Sequence, residues 1–83
     1  MSSKYQVLLF YSYSRILDPI DFRKNHLRFC VENNIVGRII ISEEGINGTI
    51  SGKKRDCKKY INKIKSYKIF NDIEFKIDFA EKN

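Results

Sequence analysis

The stretch that most constrains this chain runs from Ile39 to Gly52 and reads IIISEEGINGTISG. A β-branched triplet leads into an acidic turn, and three of the chain's four glycines, Gly45, Gly48 and Gly52, lie in this stretch. Glycine is favoured where the backbone needs a positive φ or approaches another group closely. A β-branched run that enters such a turn is typical of a strand entering a hairpin. The other segments are therefore expected to support a hairpin here.

Length and composition indicate one domain over residues 1–83. A hydrophobic content of 42% and an aromatic content of 13% exclude an intrinsically disordered class. The chain has no run of about 18 apolar residues, which excludes a membrane-spanning helix. Cys30 and Cys57 are the only cysteines, too few for a disulfide scaffold, so we expect a reduced, cytoplasmic protein.

A first strand is predicted over residues 5–13, because the sequence YQVLLFYSY is rich in strand formers and apolar at both odd and even positions. A strand that is apolar on both faces is usually central in its sheet. Tyr11 and Tyr13 belong to this strand. We expect them to be buried or half-buried in the sheet rather than free to stack on bases.

A first helix is predicted to begin at Asp18-Pro19. Aspartate is a favoured N-cap, proline suits the first helical position, and Asp21 in the first turn complements the helix dipole. Asn33-Asn34 is expected to end the helix, since asparagine tolerates the left-handed conformation. The expected core face of the helix comprises Phe22, Phe29, Cys30 and either His26 or Leu27.

A second strand is predicted over residues 36–42 and a short third strand over about residues 48–51. Ser51 or Gly52 is expected to cap a second helix. Apolar residues in that helix recur at intervals of three or four, which predicts a core-facing stripe with lysines on the opposite side. The stripe comprises Cys57, Tyr60, Ile61, Ile64 and Tyr67.

The last predicted strand covers residues 73–79, where apolar and charged side chains alternate. The apolar side chains are expected to face the core, which predicts a sheet covered by helices on one side only. These side chains are Ile73, Phe75, Ile77 and Phe79. The complete order predicts an α+β, ferredoxin-like βαββαβ fold, a four-stranded antiparallel sheet with two helices on one face.

Positive charge is concentrated in the second helix. Residues 52–68 contain eight Lys and Arg residues against one acid, Asp56, so this segment exceeds the +6 net charge of the whole chain. Such asymmetry favours a partner rich in phosphates, although a solvated helix face would have the same composition. The residues predicted to contact RNA are Lys53, Lys54, Arg55, Lys58, Lys59 and Lys63.

Other side chains of reactive types also need an interpretation. His26 and Cys30 have the i, i+4 spacing of a shared metal or an activated thiol, but two ligands are too few and buried cysteine usually packs as a small apolar group. Glu43 and Glu44 are a poor acid–base pair, since neighbours on a strand point to opposite faces, and we expect them instead to be solvated in the turn or hydrogen-bonded to the loop backbone. The predicted turn at residues 45–51 offers backbone N–H groups near a helix start, which suits an anion without the spacing of a nucleotide-binding loop.

Several motifs together resemble the N-terminal domain of one family. These are residues 29–30 (FC), 37–39 (GRI), 43–52 (EEGINGTISG) and 72–76 (DIEFK). They are similar to the TrhO family, the rhodanese-related tRNA uridine-34 hydroxylases, over nearly the whole chain. The resemblance implies an acylphosphatase-like fold for this domain and an oxygen-dependent hydroxylation of the tRNA wobble uridine by the whole enzyme.

The same resemblance implies that catalysis takes place elsewhere. A rhodanese-like domain with a reactive-loop cysteine is expected in cis, absent from this chain, and neither Cys30 nor Cys57 matches that cysteine. We therefore expect no catalytic residue, no metal and no cofactor in this domain, with molecular oxygen as the oxidant of the whole enzyme.

The expected function is that of a tRNA-engaging accessory domain of a tRNA uridine-34 hydroxylase, with no membrane partner. Its hairpin is expected to shape the active-site cleft against the rhodanese-like domain. The residues predicted for that cleft are Arg38, Glu43, Glu44, Gly45, Asn47, Gly48, Thr49 and Ser51.

Two alternatives belong to other functional classes. A stand-alone acylphosphatase-like hydrolase would need an arginine-bearing phosphate cradle and a paired asparagine, for which Arg15 and Asn47 are the candidates. A general RNA-binding module of the RNA-recognition-motif type would need aromatic side chains on the first and third strands, and the third strand has none.

Overall fold

The computed structural model describes residues 4–81, so residues 1–3 and 82–83 of the predicted domain lie outside the described range. The elements are β1 (Tyr5–Tyr13), α1 (Pro19–Glu32), β2 (Val36–Ser42), β3 (Gly45–Lys53), α2 (Lys54–Lys65), a 3₁₀ turn (Lys68–Phe70) and β4 (Phe75–Ala80). This is the predicted βαββαβ order. Among the described residues, no helix is long and apolar enough to cross a membrane.

The four strands form one antiparallel sheet in the order β2-β3-β1-β4. β1 is therefore central, as its apolar pattern predicted. Both helices pack on the same side of the sheet, and the fold is the predicted α+β, ferredoxin-like or acylphosphatase-like type. The other side of the sheet, called the open face below, is covered by no element of the described chain.

The hydrophobic core lies between the sheet and the two helices. Leu8 and Ile50 from the central strands and Tyr60 and Ile64 from α2 are almost completely buried there. The connecting segments complete the core with Ile16, Ile35, Phe70 and Ile73. Close packing of such side chains is the main favourable contribution to the stability of a small domain.

Helix α1 begins and ends as predicted. The carboxylate of Asp18 accepts a hydrogen bond from the backbone N–H of Asp21 at 3.1 Å, and Pro19 occupies the first turn. Just after the helix, Asn34 has a φ of +57°. Of the two candidates for the core face, His26 is buried, whereas the side chain of Leu27 is 65% exposed.

The third strand is longer than predicted. β3 extends from Gly45 to Lys53 because it pairs with the whole length of β1, from Tyr13 opposite Gly45 to Tyr5 opposite Lys53. The prediction of a short strand over about residues 48–51 was wrong. The predicted caps Ser51 and Gly52 therefore lie in the strand, and α2 begins at Lys54 without a side-chain cap.

The last strand is only partly covered by helices. β4 begins at Phe75, so the buried Ile73 precedes it. Ile77 and Phe79 share the helix side of the sheet with Phe75, yet they are 42% and 59% exposed. The prediction that they are buried was wrong, because β4 is an edge strand and α2 packs against β1 and β3.

Candidate nucleic-acid interface

The predicted hairpin is formed by β2 and β3, and its turn is anchored to the segment after β1. The backbone carbonyls of Glu43 and Glu44 accept hydrogen bonds from the N–H groups of Ile16 and Ser14, at 3.1 and 3.0 Å. Gly45 follows with a φ of +147°, where an added Cβ would overlap the carbonyl oxygen of Ser12. Glycine is therefore required at this position.

This geometry confirms one prediction about the hairpin and corrects another. Glu43 and Glu44 form an exposed two-residue turn, as the acidic turn in the sequence predicted. Residues 45–51 lie within β3, which pairs with β1 on one side and β2 on the other. The backbone groups of this segment therefore belong to the sheet, and it is no donor-rich turn that could surround an anion.

The predicted cleft residues divide according to the alternation of β3 and β2. Arg38, Asn47, Thr49 and Ser51 have the register of the open face. Gly48 faces the helix side, where an added Cβ would contact the ring of Phe10. The structure thus brings the side chains of half of the predicted set together on one surface. Gly48 is on the opposite side of the sheet, and Gly45 and the two glutamates lie at the turn end of the hairpin.

Cross-strand pairing arranges the open face in rows. One row contains Arg38, Thr49, Leu9 and Lys76, one residue from each strand. The next row contains Ile40, Asn47 and Tyr11. A groove of about 610 Å³ crosses the sheet along these rows. Its polar lining comes from the side chains of Arg38, Asn47, Thr49, Glu74 and Lys76.

Two tyrosines on this face contradict the sequence interpretation. Tyr11 and Tyr13 were expected to be buried or half-buried, but they are 67% and 84% exposed. Their ring centroids lie 5.8 Å apart in an edge-to-face arrangement. Both rings project from the open face, and both residues lie beyond Phe10, the last residue of β1 that pairs with β4, so β3 is the only neighbouring strand here.

The cationic residues of the second candidate set are exposed; five lie on the outer side of α2, and Lys53 ends β3 directly before the helix. This set, called the α2 cationic face below, comprises Lys53, Lys54, Arg55, Lys58, Lys59 and Lys63. The single acid of the segment, Asp56, is only 5% exposed, so the outer surface of the helix is more uniformly positive than the sequence indicates. Because aspartate is a polar residue, the burial of Asp56 could not be predicted from the sequence.

Two of these cations also contact aromatic rings. The Nζ atom of Lys63 lies 5.8 Å from the ring centroid of Phe29 and 5.4 Å from that of Tyr67. The Nζ atom of Lys54 lies 5.8 Å from the ring centroid of Phe79. These cation–π contacts hold the two side chains close to the surface, with their charges still exposed.

The two candidate surfaces lie on opposite sides of the domain. α2 buries Cys57, Tyr60 and Ile64 against one side of the sheet, and its cationic face points away from that contact. The open face is on the other side of the same sheet. Lys53 is the point where they approach, because it ends β3 with the register of the open face and directly precedes α2.

The structure gives His26 and Cys30 a role in packing. The Nε2 atom of His26 is 2.8 Å from the hydroxyl of Tyr60 in the core. Burial, together with the charge of Lys63, lowers the pKa of His26 to about 4, and burial raises the pKa of Cys30 to about 11. Across residues 4–81, no group of three or more His, Cys, Asp or Glu side chains is arranged to bind a metal ion.

The residues of the acylphosphatase alternative are not brought together. Arg15 lines a groove between the β1–α1 loop and Tyr67. Asn47 lines the groove of the open face. The two side chains thus line different grooves, and neither of these grooves is lined by both.

Comparison with known proteins identifies the family. Residues 5–83 match the family described as UPF0176 acylphosphatase like domain. The chain belongs to this family. The UPF0176 assignment agrees with the acylphosphatase-like fold and confirms the resemblance inferred from the sequence motifs.

Curated relatives of this UPF0176 domain are named tRNA uridine(34) hydroxylase. The protein of Staphylococcus carnosus is 54% identical over 77 residues, which is 93% of this chain and 24% of the relative. The Enterococcus faecalis protein is 50% identical over 78 residues, with 94% and 25% covered. The Bacillus velezensis protein is 47% identical over 81 residues, with 98% and 25% covered. The chain thus spans about a quarter of the length of these relatives.

Proposed function

We propose that this UPF0176 domain is a non-catalytic, tRNA-engaging part of a tRNA uridine(34) hydroxylase. The observation that carries the proposal is the α2 cationic face, where exposed lysines and an arginine surround the outer side of one helix. The names of the curated relatives support tRNA as the polyanion.

The expected role of the α2 cationic face is to neutralise RNA phosphates. Each phosphate that a Lys or Arg neutralises releases condensed counterions, so affinity falls as salt rises. Such contacts position the nucleic acid and do not read its sequence. The buried Asp56 takes no part in this surface. Because Lys54 and Lys63 already contact aromatic rings, their side chains lose less conformational freedom when they bind a phosphate.

The hairpin would serve a different purpose in the whole protein. In this proposal its tip and the adjoining open face form one wall of the active-site cleft, with the rhodanese-like domain in cis as the opposite wall. Hydroxylation by molecular oxygen then takes place outside this domain. Asn47 is the polar centre of the wall, since it lies between Ile40 and Tyr11 in the sheet.

A salt series with matched variants tests the tRNA contact. The variant Lys54→Gln, Arg55→Gln, Lys58→Gln removes three charges from α2, and the control Arg23→Gln, Lys24→Gln, Arg28→Gln removes three exposed charges from α1. The α2 variant should lower the slope of log affinity against log salt by about 0.7–0.9 for each phosphate that is no longer neutralised. Equal effects of the two variants would show that only net charge matters and would contradict a specific docking surface.

A separate test addresses the cleft. Asn47→Ala in the full-length enzyme should lower the rate of tRNA hydroxylation, whereas Glu32→Ala, at an exposed position that ends α1 outside the cleft, should leave it unchanged. Hydroxylation at the wild-type rate in Asn47→Ala would remove the hairpin from the cleft. The α2 cationic face would be unaffected by that result.

A further inference from the structure

Tyr11 and Tyr13 present two aromatic rings to solvent on the open face, at the end of β1 that pairs with β3 alone. Single-stranded RNA is commonly bound by stacking of its bases on such side chains. We propose that the open face is a binding site for unpaired RNA bases, with Tyr11 and Tyr13 as the stacking platforms. This inference rests on the proposed tRNA-engaging function. It adds a second contact, which would bind the unpaired bases of an RNA loop rather than the phosphate backbone.

The register places hydrogen-bonding groups beside the platform formed by Tyr11. Asn47 is directly opposite Tyr11, and Thr49 is directly opposite Leu9 on the same face. The amide of Asn47 offers both a donor and an acceptor, the combination that the Watson–Crick edge of a base requires. A base on the ring of Tyr11 would therefore have polar partners at its edge.

Cations stand at both ends of the row next to the tyrosines. Arg38 lies on the edge strand β2 and Lys76 on the opposite edge strand β4, three strand spacings or about 14 Å apart at the backbone. Each is exposed, and each lines the groove of about 610 Å³. This arrangement suits a short segment of RNA that crosses the sheet, with bases on the central strands and phosphates at the edges. Glu74 is the carboxylate in the groove lining, so phosphates are expected nearer Arg38.

The polar groups at the centre of this face favour RNA over a protein partner. Asn47 and Thr49 lie on the central strand β3, where the core of a protein–protein interface is mostly apolar, and cations stand at both edges of the sheet. A duplex is also a poor occupant, because its bases are paired and stacked and offer no free ring face. An unpaired loop offers free bases to the tyrosine rings and phosphates to the cations.

Both surfaces can contact one tRNA only if the RNA passes around the domain. The sheet and α2 separate the tyrosines from the α2 cationic face, and Lys53 marks the end of the domain where the two surfaces meet. The two contacts can therefore be removed independently by substitution.

The experiment compares two RNA probes: an anticodon stem-loop and a fully paired duplex with the same number of phosphates. Tyr11→Ala and Tyr13→Ala should each weaken stem-loop binding roughly 5- to 150-fold, the range expected for loss of one stacked base. Neither should change duplex affinity. Tyr11→Phe and Tyr13→Phe keep the ring and should retain stem-loop affinity. Since the chain contains no tryptophan, tyrosine fluorescence should also be quenched by the stem-loop.

The possible failures are distinct. If both alanine variants bind the stem-loop like wild type while the α2 variant loses both RNAs, the stacking site is wrong and the phosphate-docking function stands. If the wild-type chain binds neither probe, the proposed function fails and the stacking site with it. If Tyr11→Ala lowers the melting temperature of the full-length protein but not its RNA affinity, a protein surface covers the open face and the inference is overturned.

Discussion

The Nε2 atom of His26 and the hydroxyl of Tyr60 are 2.8 Å apart and connect α1 to α2 by a hydrogen bond inside the core. His26 is 4% exposed and Tyr60 is completely buried. The ring of Phe22 stacks on that of His26 with centroids 5.5 Å apart. The Nδ1 atom of His26 has no hydrogen-bond partner among the described residues. One polar pair thus fixes the contact between the helices, and the chain's only histidine is part of it.

Removal of the Tyr60 hydroxyl should destabilise the domain. Tyr60→Phe leaves both ring nitrogens of His26 buried without a partner, and an unsatisfied buried polar group costs about 1–3 kcal/mol. Urea unfolding should therefore show a lower midpoint at an unchanged m-value. Tyr67→Phe is the control, because Tyr67 is only half-buried, and it should change stability by less than about 0.5 kcal/mol.

A double-mutant cycle separates the pair from its surroundings. His26→Leu with Tyr60→Phe should be less destabilising than the sum of the two single substitutions, with a coupling of about 0.5–3 kcal/mol. Strict additivity would show that the hydrogen bond contributes nothing and that only packing of the two rings matters.

Stability should also depend on pH through His26. Burial first, and the charge of Lys63 second, lower the pKa of His26 to about 4 from the usual value of 6.5. Between these values the unfolded chain binds the proton and the folded chain does not. The contribution of His26 is thus fully present above pH 6.5 and is lost as the pH falls toward 4, by up to about 3 kcal/mol.

The measurement is the free energy of unfolding from pH 8 to pH 4. Carboxylates also titrate near the lower end, so the wild type is compared with His26→Leu at every pH. The difference between the two proteins should shrink by up to about 3 kcal/mol as the pH is lowered. A difference that is independent of pH would contradict a neutral, buried imidazole.

Local sequence patterns predicted the order of the helices and strands, but they did not predict which side chains of the sheet the helices would cover. β1 and β2 have the predicted bounds, and Asp18 caps α1 as expected. The alternation of residues 73–79 places Phe79 on the helix side, but it cannot tell how far a helix extends across the sheet. Phe79 is therefore exposed beside an edge strand.

The site was harder to predict because it depends on pairing between strands. The polar and glycine-rich residues 45–51 suggested a turn, and only the nine-residue partner β1 makes them a strand. An apolar pattern on both faces of β1 also cannot show that one face is left open. Exposure of Tyr11 follows from that open face and was missed. The outward direction of the α2 lysines follows from helical periodicity alone and agrees with the structure.

The anchored turn predicts a strong effect of substitution at Gly45. Its φ of +147° is strained for any other residue, and a Cβ would overlap the carbonyl oxygen of Ser12. Gly45→Ala should therefore destabilise the domain by about 2 kcal/mol or more. The neighbouring, exposed Glu44→Ala should change stability by less than about 0.5 kcal/mol in the same unfolding experiment. Equal stability of both variants would show that the turn is not held against the β1–α1 segment.

The two thiols should be unreactive while the domain is folded. Burial raises the pKa of Cys30 to about 11, and burial followed by the charge of Asp56 raises the pKa of Cys57. At pH 8 a pKa raised to about 11 leaves Cys30 with roughly one hundredth of the usual thiolate, the form that reacts. A disulfide reagent should label the native chain slowly and the urea-unfolded chain rapidly. Cys30→Ala and Cys57→Ala assign the two rates, and rapid labelling of Cys30 in the native chain would restore the activated-thiol interpretation of His26 and Cys30.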